Sequence, residues 1–485
     1  MTSPVATSTG ASAPATALHK NWTLLAVCLG TFMLLIDITI VVVALPDIRS
    51  SLHTSFSDVQ WTVDAYSLSL AALLLPTGSL ADILGRRFMF ALGLAIFTLG
   101  SLLCGLAGTG TELIIWRALQ GIGGATVFAT SLALLAQTFH GRERGFAFGV
   151  WGAVTGVSTA LGPLLGGILT TEISWHWIFY VNVPIGVFAI AITLTRVAEF
   201  RPPRHRRIDL AGFSLFTIGL TALVFGLIES GFRGWGSTEV VVSLIIAGVA
   251  LAAFPVVEHL VSQPMFDLTL FRTPTFVGSS IAAFGMNGSL YALFLYIVLY
   301  FQNAQHYSAL GAGWRLAIIT AGALVTAIPA GRASARVPTR YLVGPGLLLV
   351  GIGLLLMRGL SADSDFIHMV PGFIVAGVGS GLVNAPLAST AVGVVKPQDA
   401  GMASGINTTF RQVGIATAVA ALGSIFASHL EGATYATLGT HYAAALNELA
   451  LITGLLALVS GSLALILIRP RDFIIHTPQL AATER

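Results

Sequence analysis

The sequence predicts an all-α integral membrane protein, and its composition and long apolar runs are the observations that predict it. Of its 485 residues, 55% are hydrophobic and only 9% are charged, whereas a soluble domain has about 25% charged residues. The apolar runs are about 20 residues long, the length that an α-helix needs to cross a hydrocarbon core about 30 Å thick. A soluble enzyme is not expected, and the net charge of +3 needs no nucleic acid to explain it.

Fourteen runs are candidate membrane spans, and their boundaries are approximate. They cover residues 22–45, 59–80, 88–107, 112–135, 145–169, 176–196, 209–229, 238–257, 274–298, 311–330, 341–358, 367–388, 402–426 and 446–468. An even number of spans places both termini on one side of the membrane. Most of the 24 Lys and Arg residues fall in segments that share that side, so the positive-inside rule predicts that both termini are cytoplasmic.

The spans divide into six, two and six around a basic loop. This count predicts two six-helix bundles, related as pseudo-repeats, plus two additional helices that are central in the chain. A weak internal echo supports the division, because GSLADILGRR at 78–87 follows span two and AGRASARVPTR at 330–340 follows span ten. The expected parts are a disordered cytoplasmic tail at 1–21, the first bundle at 22–196, the basic loop at 197–208, the additional helices at 209–257, a linker at 258–273, the second bundle at 274–468 and a cytoplasmic tail at 469–485.

Three charged residues of the first bundle fall well inside predicted spans rather than at their ends, where an unpaired charge is costly and is presumptively functional. Asp37 lies about 12 Å from the outer end of span one, and Arg117 and Asp64 lie about 8 Å from the outer ends of spans four and two, at ~1.5 Å per residue. Matched depth and opposite charge predict that Asp37 and Arg117 meet. Asp64 is either a second protonatable group or a carboxylate that attracts cationic substrates. The bland alternatives are a static ion pair that supports folding and an interfacial acid that snorkels to water.

Further polar and aromatic residues could contact a substrate, although packing roles are common for such side chains. Arg411 lies in span thirteen, and no Asp or Glu accompanies it there. That absence argues against strong specificity for dications. The substrate-binding candidates are Asp64, Gln120, Asn287, Tyr291, Asn384, Phe410 and Arg411.

Several segments resemble the major facilitator superfamily. GSLADILGRR is similar to the superfamily pattern GxLaDrxGrr, and the count of fourteen spans resembles the drug:proton antiporter family with fourteen transmembrane spans. Segments in both halves agree: LLIDITIVVVALPDI, WRALQGIGGA, GVSTALGPLLGG, WHWIFYVNVPIG and AGMASGINTTFRQVG.

The resemblance implies roles for three sets of residues. It implies that Arg117 takes part in proton transfer. It implies that a gating loop, in which Asp82 helps to hold the cytoplasmic side closed, consists of Gly78, Asp82, Gly85, Arg86 and Arg87. It also implies that span five is an antiporter helix whose small residues and proline form a smooth face, namely Gly156, Gly162, Pro163, Gly166 and Gly167.

The expected function is therefore that of a proton-coupled antiporter that exports amphiphilic drugs or antimicrobial compounds by alternating access. Export of a dedicated endogenous metabolite or lipid, and proton-coupled uptake of nutrients or peptides, are the alternatives. The sequence has no GxxxxGK[ST] phosphate loop and its histidines are dispersed, so no ATPase, metal site or cofactor is expected. The expected partners are protons, a small amphiphilic substrate and the lipid bilayer of a bacterial cytoplasmic membrane, with the protein as a monomer.

Overall fold

The computed structural model consists of α-helices joined by short turns. It describes residues 17–139, 141–199, 209–262, 264, 266–334, 337–362, 364–395, 400–434 and 437–473. The side chains of a few residues within these ranges, including that of Asp82, lie outside the description.

The first half contains eight helices. They are α1 (Ala17–Leu52), α2 (Phe56–Leu84), α3 (Arg86–Leu106), α4 (Gly110–Thr138), α5 (Gly141–Glu172), α6 (Trp177–Tyr180 and Asn182–Arg196), α7 (Leu210–Arg233) and α8 (Thr238–Leu260). Polar side chains cap the start of two of them: Ser55 and Asp58 form a reciprocal capping box at α2, and Asp209 accepts a hydrogen bond from the Gly212 N–H at α7. Such caps satisfy backbone donors that have no partner within the helix.

The second half contains six helices, the first of which changes its winding twice. Helix α9 consists of α-helical Pro274–Met286 and Ala292–Leu299, each followed by a π-helical stretch, Asn287–Tyr291 and Tyr300–Ala304. The others are α10 (Ala309–Ala333), α11 (Arg340–Leu356), α12 (Val370–Gly393), α13 (Ala400–Leu430) and α14 (Leu438–Leu467). Short 3₁₀ turns occupy Leu268–Arg272, Phe366–Met369 and Pro470–Asp472.

Eleven helical stretches among the described residues are long and apolar enough to cross a membrane. Helix α11 is equally apolar but has 17 residues. Helices α2 and α5 have 29 and 32 residues, and each contains charged residues and a proline. All three overlap predicted spans, and the total of fourteen spans stays a prediction.

The helices pack as two groups with a pair beside them. Helices α1–α6 pack against one another, as do α9–α14, and the two groups meet where α5 contacts α10 and α2 contacts α13. Helices α7 and α8 pack on each other, and α7 also contacts α13 and α2. The additional pair is thus central in the chain but lies at the side of one seam between the bundles.

The two bundles are joined closely at the end that holds the α1–α2 turn, called here the first-loop end. Gln302 Nε2 donates to Val43 O at 2.7 Å, and the Leu310 N–H donates to Thr171 Oγ1 at 3.0 Å. The rings of α2 and α13 also stack there, with 5.5 Å between the centroids of Phe56 and Phe426. One large apolar cluster includes residues of both bundles near this end, whereas a second cluster contains residues of α1–α6 alone.

Several boundaries differ from the sequence prediction. Helix α1 begins at Ala17, within the predicted tail 1–21, and α8 continues to Leu260, past the predicted end at 257. The basic residues at 200–208 and the tail at 474–485 lie outside the described residues.

Candidate proton-coupling and substrate site

Asp37 and Arg117 meet in the interior of the first bundle, as their depths predict. Arg117 Nη1 lies 2.5 Å from Asp37 Oδ2, and the two side chains are 0% and 2% exposed. Gln120 Nε2 donates to the other Asp37 oxygen at 2.8 Å, and its Oε1 accepts from Arg117 at 2.6 Å. Both charges are therefore paired and hydrogen-bonded, which is the condition for burying them at tolerable cost.

Two further residues complete this network. Asn182 Nδ2 donates to Asp37 Oδ1 at 3.2 Å and to Ser101 Oγ at 3.0 Å. Ser101 also accepts from Gln120 at 3.2 Å. Neither Asn182 nor Ser101 is among the residues that the sequence predicts to be functional. Asn182 lies in the segment WHWIFYVNVPIG, where a polar amide amid apolar residues could have indicated a buried polar contact.

Small residues on α4 allow the helices around this network to approach closely. A Cβ atom at Gly121 would lie 2.9 Å from the Ser69 Cβ, and one at Gly123 would lie 2.7 Å from the Phe97 Cα. On α3, a Cβ at Gly100 would lie 2.9 Å from the Gln120 Cα. This is the packing that glycine permits between membrane helices, and it brings side chains from α1, α3, α4 and α6 to one point.

Asp64 occupies a different environment, at the seam between the bundles. Its side chain is fully buried, and neither carboxylate oxygen has a hydrogen-bond partner among the described residues. It lies within electrostatic range of Tyr296 on α9. One turn earlier, Gln60 Nε2 donates across the seam to Val419 O on α13 at 3.2 Å. Burying a carboxylate without a counter-ion or a hydrogen-bond donor is costly, and more costly than burying a neutral polar group.

Helix α2 connects the two acids. Thr62 O accepts from Arg117 Nε at 3.1 Å, and the Arg117 guanidinium lies 4.3 Å from the centre of the Tyr66 ring. Residues four apart share a helix face, so Thr62 and Tyr66 face Arg117 while Gln60 and Asp64 face the second bundle. A shift of α2 would therefore affect both environments.

The predicted antiporter helix, α5, packs first against α1. A Cβ at Gly162 would overlap the Thr39 hydroxyl, and one at Gly166 would lie 2.7 Å from Ile40 O. Both contacts lie on α1 within a turn of Asp37. These glycines thus bring α5 against the helix that carries the buried acid.

Other residues of α5 contact the second bundle. A Cβ at Gly167 would lie 2.7 Å from the Leu310 Cα, and Gly313 packs closely on Pro163 O. The surroundings of Gly156 are outside the description. One helix therefore supplies close contacts to α1 and to α10, which suits a surface along which the bundles move.

The predicted gating loop contains an unusual turn immediately before α3. Gly85 has φ +110°, a conformation that residues with a Cβ rarely adopt. A Cβ there would also lie 2.7 Å from Glu199, whose carboxylate accepts from the N–H groups of Arg87 and Phe88 at 3.1 and 3.2 Å. The Arg87 side chain donates to Leu194 O on α6 at 2.8 Å. An acid at the start of a helix is favoured by the helix dipole.

The structure describes the other residues of the predicted gating loop only in part. Arg86 Nη1 donates to Gln137 Oε1 on α4 at 3.2 Å. Gly78 lies on α2, where an added Cβ would be 4.0 Å from the Ala129 Cβ. The Asp82 side chain lies outside the described residues, so its gating role stays a prediction.

Three substrate candidates of the second bundle come from neighbouring helices. Asn384 Nδ2 on α12 donates to the Tyr291 hydroxyl on α9 at 3.2 Å, and Tyr291 lies within electrostatic range of Arg411 on α13. The Arg411 side chain is half-buried. Its one hydrogen bond within the described chain is long, from Nε to Asn407 Oδ1 at 3.5 Å.

The other two candidates have packing contacts. Asn287 Nδ2 donates to Ala283 O at 2.8 Å within its own helix. The Phe410 ring packs toward Phe271, with 6.0 Å between the ring centroids. Their roles in substrate binding stay predictions. The described residues contain no cluster of three or more His, Cys, Asp or Glu side chains suited to a metal ion.

Comparison with known proteins identifies the family. The profile described as Major Facilitator Superfamily matches residues 27–419 and 275–479. The chain is 36% identical over 427 residues to "Multidrug resistance protein Stp" of Mycobacterium tuberculosis, covering 88% of this chain and 79% of that protein. It is 33% identical over 423 residues to "Tetracenomycin C resistance and export protein" of Streptomyces glaucescens, covering 87% and 79%.

A solved structure shares the fold. The crystal structure of a bacterial homologue of the human lysosomal transporter Spinster, inward-facing and unoccupied, aligns with a TM-score of 0.63 at 18% identity over 96% of this chain and 100% of that one. The sequence match, the all-helical architecture and the shared fold agree, so this chain belongs to the major facilitator superfamily and is a membrane transporter rather than an enzyme.

Proposed function

We propose that this protein is a proton-coupled antiporter that exports amphiphilic drugs or antimicrobial compounds across a bacterial cytoplasmic membrane. The observation that carries the proposal is a contrast between two buried acids, one of which is paired and hydrogen-bonded while the other is not. Asp37 accepts hydrogen bonds from three side chains, one of them a guanidinium, whereas Asp64 accepts none among the described residues. The names of the relatives, which refer to drug resistance and export, support the direction of transport.

The proposed cycle uses the seam at which Asp64 lies. In this conformation the bundles are closed at the first-loop end, which is the predicted external side, and Asp64 is buried without a hydrogen-bond partner among the described residues. Separation of α2 from α9 and α13 would admit water, and hydration would favour loss of the proton. Because the Thr62 and Tyr66 side of α2 contacts Arg117, the same movement alters the surroundings of Asp37, and transport requires Asp37 whichever of the two acids carries the coupled proton.

The test is uphill transport in proteoliposomes under an imposed pH gradient, with ethidium as the transported probe and an internal pH dye. Asp37→Asn should abolish gradient-driven accumulation while ethidium binding to purified protein persists. Asp58→Asn is the matched control, because Asp58 is a carboxylate on α2 that lies at the surface in the capping box. Undiminished uphill transport by Asp37→Asn would contradict the proposal. Ethidium transport with no movement of protons in the opposite direction would contradict it as well.

A further inference from the structure

Arg411 is a cation within a predicted span that has no acidic partner. No Asp or Glu oxygen forms a salt bridge with it in the part of the chain that the structure describes; its Nε donates to Asn407 Oδ1 over a long 3.5 Å, and the Tyr291 hydroxyl lies within electrostatic range. Arg117, by contrast, is paired with Asp37. A guanidinium without a counter-ion in a membrane protein usually faces a water-filled cavity or a partner that arrives from outside.

The contacts of α13 show which way Arg411 projects. One side meets α9, where Asn407 Nδ2 donates to Ser279 O at 3.1 Å. A second side meets α2, where Gly423 packs against Gln60. The third meets α7, where Ser230 Oγ donates to Ser424 Oγ at 2.9 Å.

At 100° per residue, Arg411 lies about 40° around α13 from Asn407 and about 140° from Ser424, on the side between the α9 and α2 contacts. That side faces the space between the bundles. The half-buried state of the side chain agrees with this placement.

Two neutral groups lie near Arg411, because Tyr291 is within its electrostatic range and Asn384 is bonded to Tyr291. The Tyr291 hydroxyl accepts a hydrogen bond from Asn384 at 3.2 Å, and no acceptor for its own proton occurs among the described residues. It can therefore donate to an oxygen of a ligand held by Arg411. A guanidinium with an adjacent hydroxyl donor is suited to a carboxylate or an ionised phenol.

We propose that Arg411 and Tyr291, with Asn384 orienting the tyrosine, bind the anionic group of amphiphilic organic acids, so that the compounds exported include weak acids. This inference rests on the proposed function and names a substrate class for it. It also supplies a physical link to the cycle. Closing the bundles over an unpaired guanidinium is costly, and a bound anion lowers that cost. An acid substrate would thus favour the closed cavity in which it is carried.

The test compares two probes that differ in charge alone, 1-naphthaleneacetic acid and its primary amide. Binding to purified full-length protein in a neutral maltoside detergent is measured at pH 7 without a proton gradient. The wild-type protein should bind the acid about tenfold more tightly than the amide, which corresponds to about 1.4 kcal/mol. Arg411→Gln should remove this preference by weakening the acid alone, and Arg411→Lys should restore part of it.

Two variants keep the test decisive. Tyr291→Phe retains the ring and should reduce the preference severalfold, so the proposal can be judged even if Arg411→Gln does not fold. Arg315→Gln is the matched control, because Arg315 lies on α10 with its guanidinium 3.5 Å from the centre of the Tyr307 ring; it should leave the preference unchanged. Equal affinity of the wild type for acid and amide would overturn the proposal. Equal weakening of the affinity for both probes by Arg411→Gln would also overturn it. A third contrary result would be a phosphatidylglycerol molecule that co-purifies with the wild-type protein, prevents binding of the acid, and is absent from Arg411→Gln.

The outcome is separable from that for the proposed function. Binding is measured without a gradient, so a preference for the acid would survive even if ethidium did not move against its gradient in proteoliposomes, a result that would refute proton-driven export alone. Conversely, gradient-driven export of ethidium with no preference for the acid would refute this inference and leave the antiporter intact.

Discussion

Breaking the Asp37–Arg117 pair should destabilise the protein strongly, and removing both charges should recover much of the loss. The Arg117 side chain is 2% exposed. In Asp37→Asn it would keep two neutral acceptors from its present surroundings, Gln120 Oε1 at 2.6 Å and Thr62 O at 3.1 Å. Removal of one partner of a buried ion pair costs about 3–5 kcal/mol, much of it from the charge left unpaired. We expect the lower part of that range for Asp37→Asn, because these two acceptors remain.

The measurement is a double-mutant cycle on reversible unfolding in mixed micelles of SDS and a mild detergent. The loss of unfolding free energy in the double variant Asp37→Asn, Arg117→Gln should be smaller than the sum of the two single losses by about 2 kcal/mol or more. The surface pair Lys20–Glu143, with 2.7 Å between Nζ and Oε2 and side chains 28% and 59% exposed, is the matched control and should couple by at most about 1 kcal/mol. Additive losses at Asp37 and Arg117 would refute the reasoning. The double variant should remain unable to drive uphill transport, because no titrating group replaces Asp37.

Three further outcomes follow from the site. Asp64→Asn should reduce efflux of lipophilic cations more than efflux of neutral drugs at equal proton gradient, because a carboxylate in a poorly hydrated cavity attracts cations strongly; equal losses would indicate proton coupling instead, and no loss would mean that this buried acid serves neither role. Gly162→Ala should impair folding or transport because its methyl group overlaps the Thr39 hydroxyl, Thr39→Ala should partly rescue it, and Gly152→Ala, where an added Cβ meets nothing within 4 Å, should behave like wild type in both assays. Asp82→Asn should slow substrate exchange across liposomes more than it weakens equilibrium binding, and weakened binding with a normal exchange rate would argue against gating.

The sequence was sufficient to predict the main ion pair but not its surroundings. Hydrophobic run length placed Asp37 and Arg117 at similar depth, and two opposite charges in hydrocarbon have a strong reason to meet. Ser101 and Asn182 carry no charge, so burying them creates a weaker signal, and they lie 64 and 145 residues along the chain from Asp37. Which helix faces bring them to the carboxylate depends on the packing of α3 and α6 around α1.

Asp37 and Asp64 look alike in the sequence, and only the tertiary structure separates them. Each is one acid in an apolar run. Asp37 projects into the first bundle, where donors surround it, and Asp64 projects from α2 toward α9 and α13, where none of the described groups donates to it. The rotation of each helix about its axis decides this difference, and that rotation is set by contacts between helices distant in the chain.

The amino-acid sequence by itself determined that the chain is an all-α membrane protein of this superfamily, since a bilayer admits few backbone structures and the apolar runs and family segments are local features. It also determined which residues are costly to bury. The tertiary structure decided that α7 and α8 lie beside the α2–α13 seam, that the bundles are closed at the first-loop end, and that Arg411 lacks an acidic partner within the described chain. These properties depend on how helix surfaces fit together, because side chains from separate helices acquire or lose partners only when the helices pack.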